Sequence, residues 1–288
     1  AKENGYSTIA AQSSNRRSYR VDSVSLLAGF DQFYGAEDMP NVEAVDEGRE
    51  PDTGTYDYNM FSFMHQKLNT IQEPFLTFMF TSTNHSDFHL PSAKFERYPH
   101  DLKNYYGYLN SLIYVDNAIE RFIEGVKKEP WFDNTIFIFT SDHGSGNALG
   151  NIAKGLRPDD KIVSKIEGYR IPLLIYAPKI FKPKEIDILG SQNDIKPTII
   201  DLLGFENSFS SMGNSLFDES SKNRFVYTFG GDQIGLITED CYIMFNYKDT
   251  TNSSCKDELK TKLEKELKAI DSFESYLLDK NRWLNIKE

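Results

Sequence analysis

The stretch Asn134-Thr135-Ile136-Phe137-Ile138-Phe139-Thr140-Ser141-Asp142-His143-Gly144 constrains this chain most. Five successive apolar or β-branched residues, Thr135 to Phe139, predict a strand buried on both faces, as in a parallel sheet covered by helices. The run ends in a polar pair and then Gly144-Ser145-Gly146. In an α/β sheet the chemistry gathers at the carboxyl ends of the strands, which places Asp142 and His143 there, on a turn. An adjacent aspartate and histidine offer a hard oxygen and an imidazole nitrogen to one cation. Gly144 lets the backbone turn without a Cβ in the way. The same pair also fits a capping aspartate beside a surface histidine, and on the residues alone both readings stand.

Another strand of this kind, Pro74 to Phe80, runs into Thr81-Ser82-Thr83-Asn84-His85-Ser86-Asp87-Phe88-His89-Leu90-Pro91. It again delivers a histidine, His85, to a polar loop. Nearer the start, Gly5 ends a short helix and Tyr6 to Ala11 fits a short buried strand. A basic loop follows with Arg16, Arg17, Tyr19 and Arg20. Clustered guanidiniums suit phosphate oxygens because they donate in a bidentate fork; a solvated basic loop on an acidic protein accounts for them equally well.

The connecting segments read as helices and loops. Residues 35–57 form a surface loop. Tyr58, Phe61, Met64 and Leu68 share one face of a helix over 57–70, with His65 a partly exposed member. Leu109, Leu112, Ile113, Asp116, Ile119, Phe122 and Ile123 predict the apolar stripe of a helix over 101–128. The glycine-rich residues 145–157 read as a flap beside the site and lack the G-x-x-x-x-G-K pattern of a phosphate cradle. Pro197 and Gly204 punctuate a helix within 191–204. Antiparallel strands are predicted near 225–229, 234–238 and 241–247, and a packed terminal helix over 254–284.

A formal charge of −11 makes the chain a poor nonspecific nucleic-acid binder, since phosphate neutralisation needs lysine and arginine. No apolar run approaches the ~20 residues of a membrane helix. Cys241 and Cys255 form no C-x-x-C motif; a disulfide and two buried thiols are both compatible with their spacing.

The wording of these stretches resembles a known family. Thr140-Ser141-Asp142-His143-Gly144 is similar to the metal-site motif of the alkaline phosphatase superfamily, in its sulfatase-like branch. Gly5-Tyr6-Ser7-Thr8, Gly29-Phe30-Asp31-Gln32-Phe33, Asn84-His85 and Ser191-Gln192-Asn193-Asp194-Ile195-Lys196-Pro197-Thr198 extend the likeness. Together they look like a lipoteichoic acid synthase-type phosphoglycerol transferase or a close phosphoethanolamine-transferase relative. Some of the latter carry another histidine soon after the motif, and this chain has none after His143.

The resemblance implies an α/β fold: a three-layer sandwich with a mainly parallel central sheet over residues 1–220, and a small antiparallel subdomain with a terminal helix over 221–288. It implies Asp142 and His143 as metal ligands, His85 as a catalytic residue, and Arg16, Arg17, Tyr19 and Arg20 as substrate-binding residues, while Asp116 looks structural. It implies one divalent metal ion as cofactor: Mn, Mg or Zn, or Ca for a true sulfatase. The substrate is expected to be a phospholipid head group or envelope glycan, with no nucleic acid. The setting is expected to be extracytoplasmic, in a membrane-anchored parent. The family's nucleophile and a further acidic ligand are expected upstream of Ala1, leaving this chain inactive alone. Sulfuric ester hydrolysis and a noncatalytic binding domain of the same fold are the alternatives.

Overall fold

The protein is described from a computed structural model, over residues 1–144, 169–206, 209–218, 220–221, 224–230, 232–280 and 282. It divides into two compact units, Ala1–Lys182 and Pro183–Glu288.

The first unit contains β1 (Ser7–Gln12), α1 (Val21–Leu27), β2 (Gln32–Tyr34), α2 (Asp57–Leu68), β3 (Phe75–Phe80), α3 (Tyr105–Val126), β4 (Phe137–Thr140) and β5 (Leu173–Tyr176). Strands β2, β1 and β3 form a parallel sheet in that order, with Ala10 opposite both Phe33 and Phe78. Every residue of β1 from Thr8 to Gln12 is buried. Side chains alternate between faces, so this strand is covered on both sides. Helices α2 and α3 supply one layer, with Ile9 and Ala11 set among Met60, Met64, Tyr114 and Phe122, and α1 packs against β1 and β2. The small Ala10 and Ala11 leave room for this cover.

Two local readings change. Strand β4 pairs antiparallel with β5, Phe137 opposite Tyr176, and only Phe137 within it is buried. The apolar content of 135–139 reported a strand correctly; period alone could not tell a two-sided interior from a half-covered position. In α3 the buried face runs through Gly107, Asn110, Ser111, Tyr114, Ala118, Phe122 and Val126, while Leu112 and Asp116 are exposed. Small residues take part of the inner face, Gly107 because a Cβ there would stand 1.9 Å from the Asp101 carbonyl oxygen, and polar Asn110 is satisfied. Asn110 donates to the Tyr98 carbonyl at 2.9 Å and accepts from its amide at 3.1 Å.

A buried charge is handled likewise. The Glu43 carboxylate accepts from Arg121 at 2.7 and 3.0 Å and from the Tyr114 hydroxyl at 3.2 Å. The Arg121 guanidinium lies 3.3 Å from the centre of the Tyr58 ring. Such a pair is tolerated inside only because its oxygens are satisfied.

The second unit holds α4 (Ile195–Leu202), β6 (Phe225–Gly230), β7 (Gln233–Thr238), β8 (Tyr242–Phe245), β9 (Thr250–Ser253) and α5 (Asp257–Asp279). The four strands form an antiparallel meander in sequence order. Leu263 and Leu267, one turn apart on α5, pack on Ile234, Leu236, Ile243 and Phe245. Cys241 and Cys255 are joined as a disulfide, closing the hairpin that leads into α5. Among the described residues no helix is long and apolar enough to cross a membrane.

The start of the parallel sheet is pinned by Asp31, which accepts from the Thr8 amide at 3.2 Å and its hydroxyl at 2.7 Å and pairs with Lys2 at 2.6 Å. Hydrogen bonds from Lys2 and Thr8 hold its carboxyl below the usual aspartate range. A lowered carboxyl contributes stability that is present above its unfolded pKa and lost as pH falls through its lower folded pKa. The stability difference between wild type and Asp31→Asn is therefore expected to stay flat at neutral pH and to shrink once pH drops below that unfolded value. Urea denaturation across the acidic range measures it, and a difference that grows on acidification would contradict the assignment.

Candidate active site

Strands β1 and β3 run in parallel, so their carboxyl ends emerge at the same edge. One carboxylate ties them. Asp57, fully buried at the start of α2, accepts from the Ser13 hydroxyl beyond β1 at 2.5 Å and from the Ser82 amide beyond β3 at 2.8 Å. The Thr83 amide lies 3.3 Å from both Asp57 oxygens, and the Asp57 amide donates back to the Thr83 hydroxyl at 3.1 Å. Burial pushes the carboxyl's pKa up, against the downward pull of the Ser13 hydroxyl and the Ser82 and Thr83 groups. The loop ahead of α2 reaches this knot through Gly54, at φ 78°, where a Cβ would stand 2.4 Å from the Ser13 carbonyl oxygen. The sequence offered one cue to Asp57, an acid in the first turn of a helix. Its partners in two distant loops carried no signal.

The basic loop starts directly past β1. The Gln12 side-chain amide donates to the carbonyls of Asn15 at 2.5 Å and Arg16 at 3.3 Å. Arg16 is engaged in building the loop: Nη1 donates to the Phe33 carbonyl at 2.8 Å, Nη2 pairs with Asp38, and its amide donates to Glu37 at 2.8 Å. Tyr19 and Arg20 both adopt left-handed backbone, φ 55° and 59°. Non-glycine residues held there are strained by roughly 1–3 kcal/mol each and gather at functional sites. The turn sends Tyr19 to His85, its hydroxyl 3.4 Å from Nε2 and the rings 5.8 Å apart. His85 Nδ1 donates to the Ser86 carbonyl at 2.6 Å, so in the neutral imidazole Nε2 is the acceptor facing Tyr19. Arg17 and Arg20 are exposed, and among the described residues neither guanidinium has an ion-pair partner.

Asp142 and His143 follow β4 directly. The His143 amide donates to Asp142 Oδ1 at 2.9 Å and its Nδ1 donates to the Gly144 carbonyl at 2.8 Å. That bond leaves a lone pair on Nε2, which lies 3.6 Å from Asp142 Oδ2. One hard oxygen and one imidazole nitrogen thus stand side by side on exposed chain, a donor set suited to a divalent cation as two of its ligands. The structure therefore joins Tyr19 to His85 and Asp142 to His143, commits Arg16 to the fold, and leaves Arg17 and Arg20 facing solvent. The predicted flap at 145–157 lies outside the described residues.

The family model described as Sulfatase matches residues 1–205. The chain is 24% identical over 277 residues to a lipoteichoic acid synthase-like protein, YvgJ, of Bacillus subtilis, covering 87% of this chain and 44% of that protein. It is 30% identical over 147 residues to phosphoglycerol transferase I of Salmonella arizonae, covering 49% of this chain and 19% of that one. It spans less than half the length of these curated relatives.

Among solved structures, an alkaline phosphatase superfamily protein from Vibrio parahaemolyticus superposes with a TM-score of 0.80 at 22% identity, covering 99% of this chain and 68% of that one. The lipoteichoic acid synthase LtaP of Listeria monocytogenes gives 0.73 at 22% identity, covering 96% and 71%. The C-terminal periplasmic domain of EcEptC from Escherichia coli, solved in complex with Zn, gives 0.53 at 18%, covering 80% and 67%. These likenesses establish the fold: α/β with a parallel sheet and additional antiparallel strands, of the alkaline phosphatase type, as the sequence motifs led us to expect.

Removing the Asp57 carboxylate strands three donors, those of Ser13 and Thr83 buried and that of Ser82 half-buried. Asp57→Ala is expected to lower unfolding stability by about 3 kcal/mol, and Asp57→Asn, which keeps one acceptor oxygen, by less. Shifts of the urea midpoint measure both; midpoints equal to wild type would show that the carboxylate does not hold the strand ends.

Proposed function

The chain belongs to the sulfatase family, and on that premise we propose that it forms the metal- and substrate-binding part of a phosphoryl transferase. The group moved would be phosphoglycerol or phosphoethanolamine, from a phospholipid to an envelope lipid or glycan. The observation that carries this reading is the meeting of Tyr19 with His85, 66 positions apart, at 3.4 Å. The basic loop and the strand-end histidine converge, as a phosphate-binding rim requires. Relatives matching along most of the chain bear on lipoteichoic acid synthesis, which favours phosphodiester over sulfate ester, the second substrate class of the family.

Asp142 and His143 would contribute two ligands to one divalent cation. When bound, that cation supplies Lewis-acid polarisation of the phosphoryl oxygens and a lowered pKa at the attacking hydroxyl. Arg17 and Arg20, free of ion pairs among the described residues, receive equatorial phosphate oxygens. His85, fixed through Nδ1, presents Nε2 to the oxygen of the departing group; protonated there, it donates as negative charge builds. Tyr19 orients the ring. In this reading the attacking group comes from the length of the relatives that this chain does not span, and the product is a covalent phospho-enzyme resolved by an acceptor hydroxyl. The Cys241–Cys255 disulfide supports an oxidising, extracytoplasmic setting.

In the full-length protein, Asp142→Asn and His143→Ala are each expected to lower head-group transfer from a glycerophospholipid by about 10²-fold or more, with circular dichroism and thermal midpoint unchanged. Chelation of divalent metal should do the same and be reversed by adding it back. Full turnover in both variants would reject the metal role of the pair. Hydrolysis of an aryl sulfate with no phosphodiester turnover would select the sulfatase reading.

A further inference from the structure

The loop that carries His85 shares a separate cluster of metal-ligating groups with the loop ahead of α2. One ligand atom each from Asp52, Asp87 and His89 lie within 4.8 Å of one another. Asp52 comes from the loop ahead of α2, and Asp87 and His89 from the loop after β3. The His89 Nδ1 donates to the Glu50 carbonyl at 3.0 Å. This is the outer bond by which a metal-binding imidazole is oriented, and it leaves the Nε2 lone pair available.

The three residues line a hollow of about 10 Å³, shared with Tyr56, Ser82 and Thr83, room for about one water-sized occupant. Tyr56 is only 2% exposed, and its buried hydroxyl has no hydrogen-bond partner among the described residues. Buried hydroxyls are nearly always partnered, so this one points to an occupant of the hollow. Two neighbours bear on the cluster: Lys103 Nζ lies 3.7 Å from Asp87 Oδ2, on a largely exposed side chain that can swing away, and the neutral Ser86 hydroxyl donates to Asp87 Oδ1 at 3.3 Å.

We propose that Asp52, Asp87 and His89 bind one divalent transition cation, Mn²⁺ or Zn²⁺, at a site separate from Asp142 and His143. Two carboxylates and an imidazole match these ions; Ca²⁺ and Mg²⁺ favour all-oxygen sets. Small side-chain torsions bring the three atoms to coordination distances of ~2.0–2.2 Å. Occupancy clamps the loop ahead of α2 to the loop bearing His85, so the cation acts as a positioning element for that histidine.

The test uses purified Asp142→Ala/His143→Ala protein, which removes the other candidate ligands. Success or failure here is thus independent of the proposed transferase site. Free Mn²⁺ is followed by electron paramagnetic resonance, with Zn²⁺ as competitor. We expect one Mn²⁺ per chain, displaced by Zn²⁺, and binding at least about tenfold weaker after adding either Asp52→Asn or His89→Gln. Asp52 is exposed, so its variant separates ligand loss from misfolding, with circular dichroism as the check. No binding of either ion to the double variant, or equal binding in all three proteins, overturns the proposal.

Discussion

The Asp57 carboxylate is the constraint from which the rest of the first unit follows. Parallel strands deliver their ends to one edge but do not fix the loops that leave them. A single buried acceptor, bonded to Ser13 beyond β1 and to Ser82 and Thr83 beyond β3, sets both loops against the amino end of α2. The helix dipole favours a negative group there, and the buried position makes each bond to it costly to lose. Ser13 is followed within seven residues by Tyr19 and Arg20, and Thr83 within two by His85. The contact between Tyr19 and His85 is the downstream result of that one knot.

Rigid and adaptable parts of the rim are divided by what each side chain is already doing. Arg16 spends its guanidinium on the Phe33 carbonyl and Asp38, and a Cβ on Gly35 would meet its backbone at 2.5 Å. It is a structural post. Arg17 and Arg20 sit beyond it on exposed chain, where long side chains reorganise at little cost. The left-handed backbone at Tyr19 and Arg20 is the conformational expense of turning the loop towards β3. Strain of this kind persists where surrounding contacts over-determine it, and here Gln12, Glu37 and Asp38 do so.

The main elements of this fold were legible because they rest on local signals. Strands β1 and β3 announced themselves by composition, α4 by Pro197 and Gly204, and the turn after the short helical Lys2–Asn4 by Gly5, at φ 79°. What escaped was relational. Strand β9, Thr250-Thr251-Asn252-Ser253, has no apolar period and exists because β8 offers it an edge. The inner face of α3 is set by its tertiary neighbours: Gly107 sits where a Cβ would stand 1.9 Å from the Asp101 carbonyl oxygen, and Ser111 and Ala118 are buried in place of Leu112. Among the candidate site residues, those after strand ends were named from their position. Arg16 was grouped with its neighbours because residue type does not say which guanidinium the fold will consume.

A net charge of −11 does not argue against the proposed phosphate-binding rim, because net charge is the wrong quantity at short range. With a Debye length of about 8 Å in physiological salt, an anion at the His85 loop feels the groups within that radius, and potentials there follow the local arrangement. Three acids around the basic loop are engaged: the Asp57 carboxylate by three donors, Asp38 by Arg16, and Glu37 by the Arg16 amide, while Asp87 faces Lys103 at 3.7 Å. Arg17 and Arg20 keep their charge unpaired among the described residues. By giving Asp57, Asp38 and Glu37 partners, the fold leaves Arg17 and Arg20 as a locally cationic edge on a strongly acidic chain, which is what the proposed handling of an anionic substrate requires.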